Sequence, residues 1–137
     1  MDQLLRDEVW RRAKSCCEYC RMPQSLDPIP FHIDHIIARK HGGHTTAENL
    51  AISCFGCNNQ KQSDIAGIDP EGPPDVPVRL FHPRTDSWED HFAWDGPVLI
   101  ARTAVGRVTL YVLGINLPHR VALRKTLINE EVFPAKS

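Results

Sequence analysis

The sequence predicts a small α+β fold, and three observations lead to that prediction. Apolar residues recur at a spacing of four over residues 3–15, which is typical of an amphipathic helix. Residues 31–37 are rich in β-branched and aromatic side chains, which favours a strand. Four of the five cysteines stand in two C-x-x-C pairs, a spacing that suits structural side-chain ligands. At 137 residues, the chain forms one domain or one small domain with an extension.

The sequence also predicts how side chains are placed in the first helix and in the first strand. Asp2 directly precedes the first helix, so we expect it to be the N-cap. In the strand, side chains alternate between faces, which places His32 and Asp34 on one face and His35 on the other.

The next segments predict the rest of a small N-terminal domain, residues 1–66. Residues 50–52 are apolar and predict a second short strand, and residues 58–66 predict a helix. Residues 67–79 are dense in proline and glycine and predict an irregular linker. Residues 80–137 then form a C-terminal extension.

Within the extension, the sequence predicts a β-hairpin and a helix. Residues 98–104 and 107–113 are rich in β-branched residues and predict two strands joined at Val105-Gly106. Asn116 is the expected cap of a last helix that continues to about Glu131.

Composition excludes several classes of protein. The hydrophobic content of 42% is ordinary for a soluble domain, and no apolar run approaches the about 20 residues of a membrane span. The N-terminus is acidic and lacks the apolar region of a signal peptide, which predicts a cytoplasmic location. A net charge of −1 argues against a nucleic-acid coat protein, but not against an enzyme with a local basic face.

The cysteine pairs predict a structural zinc site. In a reducing compartment, C-x-x-C pairs are metal ligands more often than disulfides. Cys17 with Cys20 and Cys54 with Cys57 supply four thiolates, which close a tetrahedral zinc shell. A thioredoxin-like redox site would need one pair in a βαβ setting, a pattern that the sequence lacks. Cys16 lacks the two-residue spacing and is expected to be a spare buried thiol, although it could substitute as a ligand.

The cysteine pairs enclose an Asp-His dipeptide whose chemistry suits phosphodiester hydrolysis. That reaction needs a base for water and a cation at the phosphate. His35 is a suitable base, because histidine with its ordinary pKa of about 6.5 is largely neutral at pH 7. Asp34 is a hard oxygen donor that suits Mg²⁺ or Mn²⁺. Both side chains reach one site if the strand ends or bends at His35.

Short motifs follow one another in order between residues 17 and 64. They are Cys17-x-x-Cys20, Asp34-His35-Ile36, Gly42-Gly43, Asn49-Leu50, Cys54-x-x-Cys57-Asn58 and Lys61. Together these motifs resemble the HNH endonuclease family over residues 17 to about 64. The resemblance implies a ββα-metal finger, in which a β-hairpin and a following helix hold one divalent metal. The cysteines are similar to the subset of the family with a structural zinc, and the extension resembles a tail on some bacterial members.

The resemblance also implies roles for single residues. His35 corresponds to the general base, and Asp34 to the first metal ligand. Asn58 corresponds to the residue that completes the metal site from the helix, although it could instead cap that helix. Asn49 corresponds to the residue that ties the loop between the strands through backbone hydrogen bonds and keeps the base oriented. One departure is Ala38, where many relatives have proline.

Several basic residues are candidates for contacts with nucleic acid. Arg39, Lys40 and His41 lie in the predicted loop, and Lys61 lies on the predicted helix. Each side chain either contacts phosphate or belongs to a solvated surface. His32 either supports Asp34 or is a surface histidine.

The extension is dense in aromatic residues and histidine. We expect its aromatic side chains to pack on the small N-terminal domain and to enlarge the core. The polar residues either pack as well or contact substrate at the rim of the active cleft. The aromatic residues are Phe81, Trp88, Phe92 and Trp94, and the polar ones are His82, Arg84 and His91.

The sequence as a whole predicts a metal-dependent endonuclease that hydrolyses DNA and, as relatives do, leaves a 5′ phosphate. The alternative is a non-catalytic zinc module that binds nucleic acid or protein. The DNA target remains open, and so does the oligomeric state, for which a dimer is one possibility.

Overall fold

The computed structural model of the protein describes residues 1–135 and has an α+β architecture. Its described strands form three antiparallel two-stranded sheets, β1 with β2, β3 with β4, and β5 with β6. In chain order the elements are α1 (Gln3–Arg12), β1 (His32–His35), β2 (Leu50–Ser53), α2 (Phe55–Lys61), β3 (Ala66–Ile68), β4 (Pro77–Arg79), α3 (Trp88–His91), β5 (Phe92–Asp95), β6 (Val98–Ala101), α4 (Ala104–Val112) and α5 (Pro118–Asn129).

Helix α1 begins as predicted and ends earlier than predicted. The Asp2 side chain accepts a hydrogen bond from the Leu5 backbone N–H at 2.8 Å, which confirms the N-cap. The helix ends at Arg12 rather than at residue 15, because Lys14 and Ser15 adopt positive φ angles of 54° and 55°. This turn directs the chain into the first cysteine pair.

The predicted strand pair forms, and the helix that follows starts earlier than predicted. Strands β1 and β2 are antiparallel, with His35 opposite Leu50. Helix α2 begins at Phe55 instead of residue 58, because Cys54 caps it by accepting from the Cys57 backbone N–H at 3.4 Å. It ends at Lys61 instead of residue 66, since the next residue turns away with a positive φ.

The prediction of an irregular linker over residues 67–79 is partly wrong. Strands β3 and β4 pair across this segment, with Gly67 opposite Val78. Gly67 packs closely on helix α4, where an added Cβ would lie 2.8 Å from Val112 Cγ2. The prolines therefore shape the loop of a hairpin that is held by tertiary contact.

The hairpin predicted over residues 98–104 and 107–113 is wrong. The first of these runs pairs with β5 instead, through a turn at Gly96 that has a φ of 57°. The second run is helix α4, capped by Thr103 Oγ1, which accepts from the Gly106 N–H at 3.0 Å. Two of its buried positions, Gly106 and Thr109, are three residues apart, as on one face of a helix. Helix α5 starts at Pro118, two residues after the predicted cap.

One hydrophobic core spans the N-terminal elements and the extension. The four aromatic residues of the extension join this core, which confirms their predicted packing. Trp88 Nε1–H donates to the Tyr19 carbonyl oxygen at 2.9 Å, and Phe81 meets the edge of Tyr19 at 6.4 Å between ring centroids. Within residues 1–135, no helix is both long and apolar enough to cross a lipid bilayer.

We predict that Trp88→Ala lowers the free energy of unfolding by about 3–5 kcal/mol, because it opens a cavity and leaves a buried carbonyl without its donor. Urea unfolding at a fixed zinc concentration measures the change. Tyr111→Ala is the control, since Tyr111 is 73% exposed. Equal unfolding free energies for the two variants would show that the extension does not share the core.

Candidate active site and metal centre

Four buried sulfurs meet at one point and have the spacing that zinc requires. The cysteine cluster consists of Cys17, Cys20, Cys54 and Cys57, whose Sγ atoms all lie within 4.8 Å of one another. All four are free thiols, and the sulfurs of Cys20 and Cys54 are 3.7 Å apart. Tetrahedral zinc with Zn–S bonds of about 2.3 Å separates its sulfurs by about 3.8 Å. The donor set therefore fits a closed, structural zinc.

The local backbone explains how each cysteine pair faces the cluster. Before helix α2, Cys54 occupies the N-cap and Cys57 the first turn, so both sulfurs lie at the start of the helix. The first pair lies on a tight turn in which the Cys17 N–H donates to the Met22 carbonyl at 2.9 Å. Cys16 stays outside the cluster and is only half-buried, with its sulfur 3.5 Å from the Lys14 carbonyl oxygen.

Within the cluster, the pKa values of Cys17 and Cys57 are shifted in the direction opposite to that of Cys20. Burial raises the pKa of Cys17 and of Cys57 well above the ordinary range, because a buried thiolate loses its hydration. Hydrogen bonds from the other three thiols hold the pKa of Cys20 well below that range. Four thiolates in one buried place need a cation, which is consistent with a metal centre.

A second candidate metal position lies at the end of β1. Asp34 Oδ2 is buried and has no hydrogen-bond partner among the described residues. The nearest cation is Lys61 Nζ, 3.8 Å from that oxygen. Burial raises the pKa of the Asp34 carboxyl, against the opposing charge of Lys61. A buried oxygen that lacks a partner is costly, and a coordinated cation would satisfy it.

His35 follows Asp34 as the last residue of β1, and its side chain contacts the loop between the strands. Its Nε2 lies 2.8 Å from Thr45 Oγ1, a contact that sequence analysis missed. Thr45 stands in a polar loop where no spacing or motif distinguishes it from its neighbours. The structure thus shows how the imidazole is held at the edge of the hairpin.

The loop after β1 is closed by Asn49, with the backbone hydrogen bonds that the resemblance implies. The Asn49 side-chain oxygen accepts from the Ile37 N–H, and its amide donates to the carbonyls of Ile37 and His44, each at 2.9 Å. Gly43 allows this closure, because a Cβ there would overlap the Ile37 carbonyl oxygen. Preceding it, Gly42 adopts a φ of 93°.

Asn58 lies in the interior of helix α2, which excludes the interpretation that it caps this helix. The helix is capped by Cys54, so Asn58 is not the cap. Its backbone N–H donates to the Cys54 carbonyl at 2.9 Å, and its half-buried side chain makes no hydrogen bond within residues 1–135. The α2 helix packs against β1, the strand that carries Asp34.

The candidate phosphate contacts divide into two groups. Arg39, Lys40 and His41 form a short 3₁₀ turn after β1, and all three are exposed. Lys61 is only 2% exposed, and its ammonium lies against Asp34 and 3.5 Å from the His35 carbonyl oxygen. Lys61 therefore faces the interior of the site. His32 is exposed, which favours a surface histidine.

The polar residues of the extension are held mainly by internal partners. Arg84 pairs with Glu18, and His91 Nδ1 lies 2.6 Å from Thr103 Oγ1. His82 Nδ1 accepts from the backbone N–H of Arg84 at 3.2 Å. His82 lines a cavity of about 250 Å³ that Lys61 also lines.

Comparison with known proteins gives one match. The model of the HNH endonuclease family matches residues 17–64, the segment that runs from the first cysteine through the hairpin and α2. No curated protein and no solved structure matches the chain. The match spans both cysteine pairs, the Asp-His dipeptide, Asn49 and Asn58. Residues 17–64 of this chain are an HNH endonuclease domain.

Proposed function

We propose that this chain is a metal-dependent endonuclease that hydrolyses phosphodiester bonds in DNA. The observation that carries the proposal is the buried Asp34 Oδ2, which has no hydrogen-bond partner within residues 1–135 and lies beside His35 in an HNH domain. A carboxylate oxygen left in that state is expected where a protein binds a cation.

In this proposal, Asp34 and Asn58 hold the catalytic metal through oxygen atoms. Both donors are hard ligands, which suits Mg²⁺ or Mn²⁺. When bound, such an ion stabilises negative charge on the phosphate and on the leaving oxygen. Lys61 acts as a positioning residue, because its buried ammonium fixes the orientation of the Asp34 carboxylate.

His35 acts as the general base. The contact between its Nε2 and Thr45 Oγ1 keeps the ring at the hairpin edge, and the hydrogen bonds of Asn49 keep the loop that carries Thr45 in place. The imidazole accepts a proton from water, and the water oxygen attacks phosphorus in line. The bond from phosphorus to the 3′ oxygen breaks, and that oxygen takes a proton from solvent water, which gives a 3′ hydroxyl and a 5′ phosphate.

The cysteine cluster and the exposed basic turn complete the proposed nuclease. The cysteine cluster holds a structural zinc with four thiolate ligands, so that no position is open for chemistry. The exposed turn of Arg39, Lys40 and His41 lies next to the hairpin and supplies positive charge for the DNA backbone.

The rival function is a non-catalytic zinc module that binds nucleic acid or protein. It would need the cysteine cluster but no buried carboxylate beside a histidine. Both functions therefore require the cysteines, whereas only the nuclease requires Asp34 and His35.

We predict that His35→Ala slows the nicking of supercoiled plasmid with Mg²⁺ or Mn²⁺ by about 10²- to 10⁴-fold, because the base is lost. His119→Ala is the matched control, since His119 is exposed on α5, far along the chain from the hairpin. Equal rates for wild type and His35→Ala would remove His35 as the base. A wild type inactive on every form of DNA and RNA would favour the binding module.

For the cysteine cluster, we predict one tightly bound zinc per chain and its loss in Cys54→Ser. That variant should also unfold, because metal binding supplies much of the folding free energy of a small domain. Cys16→Ser is the control and should retain both zinc and fold, since Cys16 lies outside the cluster. Metal analysis by mass spectrometry, together with circular dichroism, measures both properties. A folded wild type without zinc would contradict the four-cysteine site.

A further inference from the structure

We propose that Arg120, on helix α5 outside the HNH domain, stabilises the zinc site by hydrogen bonding to its thiolates. Zinc retention then depends on the C-terminal extension. The inference rests on the zinc proposed above, and it is independent of nuclease activity.

The guanidinium of Arg120 bridges the cluster and the backbone of the extension. Its Nη2 lies 3.0 Å from Cys57 Sγ and 3.8 Å from Cys54 Sγ. On the other side, Nη1 donates to the carbonyl oxygens of Leu113 at 2.8 Å and Gly114 at 3.1 Å. These carbonyls fix the plane of the guanidinium, so that Nη2 is directed at the sulfurs.

The charges make this contact favourable. A zinc ion with four thiolates carries a net charge of −2, and the cluster is buried. The charge of one guanidinium offsets half of that excess. Burial lowers the pKa of Arg120, but the attraction of the Cys57, Cys20 and Cys54 thiolates outweighs it and raises that pKa above the ordinary range.

Among the described side chains outside the cluster, Arg120 is the one that donates hydrogen bonds to the cluster sulfurs. Donors of this kind hold metal ligands in orientation, and their removal weakens metal binding by about 10- to 100-fold. The same contact links the second cysteine pair to the extension, 63 residues further along the chain.

Gly56, the second of the two residues between Cys54 and Cys57, leaves room for the guanidinium. A Cβ on Gly56 would lie 3.1 Å from Arg120 Cζ and 3.3 Å from its Nε. An added Cβ would displace the guanidinium from this position by a few tenths of an ångström. The glycine inside the second C-x-x-C pair therefore suits a contact with Arg120, which lies outside the HNH domain.

The test compares zinc release from the full-length, zinc-loaded protein and two arginine variants. Arg120→Met should release zinc to a chromogenic chelator at least about 10-fold faster than wild type. In cobalt-substituted protein it should also shift the thiolate-to-cobalt charge-transfer bands, a change that loss of packing alone does not produce.

Arg124→Met is the matched control. Arg124 is buried on the same helix, and it donates to the Pro97 carbonyl at 2.7 Å and to Asn116 Oδ1 at 3.0 Å, but not to sulfur. This variant should lower stability yet keep the cobalt spectrum and release zinc within about twofold of wild type under conditions where circular dichroism shows it folded.

Two further variants keep the test decisive if Arg120→Met does not fold. Arg120→Lys keeps the charge but loses the planar fork, and Gly56→Ala displaces the guanidinium without removing it. Both should release zinc faster than wild type. Wild-type release and spectra in the folded Arg120 and Gly56 variants would overturn the proposal, and so would equal effects of Arg120→Met and Arg124→Met. A zinc-free, folded wild type would overturn the structural zinc as well, whereas an inactive but zinc-loaded wild type would leave this inference standing.

Discussion

Four thiols held within 4.8 Å of one another in a buried place repel one another as soon as they ionise. In the proposed function, a shared zinc ion relieves this repulsion, and the rest of the HNH domain depends on that ion. The cysteines come from two places in the chain, and 34 residues separate Cys20 from Cys54. The hairpin β1–β2 lies between these places. A single ion at the sulfurs would therefore fix the hairpin against the start of helix α2.

Helix α2 connects the cysteine cluster to the proposed catalytic site. Cys54 caps the helix, Cys57 lies in its first turn, and Asn58 is the next residue. At the end of the helix, the ammonium of Lys61 lies beside Asp34. Because the helix is only seven residues long and packs against β1, its orientation at the sulfurs sets where Lys61 meets that strand. In the proposed function, the structural zinc thereby sets the geometry of the separate site that binds the catalytic metal.

The parts of the fold that sequence predicts well are those determined by neighbouring residues. The hairpin, the cysteine cluster and the Asn49 hydrogen bonds all belong to one ordered set of motifs. Helix α4 was predicted as a strand because its many β-branched residues favour strands, whereas its buried positions follow a helical period. The contacts of Thr45, Lys61 and Arg120 are not predicted from the sequence, because the partners of these side chains are set by tertiary packing, which no local spacing reveals.

The extension completes the domain by adding aromatic side chains to one core and one guanidinium to the sulfurs. The central claim is that the chain holds two different metals in two separate places. Anomalous diffraction from crystals of the zinc-loaded protein soaked in Mn²⁺ tests it most directly. The account predicts a zinc peak at the centre of the four sulfurs and a manganese peak at Asp34 Oδ2 within reach of Asn58. Manganese bound elsewhere, or zinc absent from the sulfurs, would contradict the account.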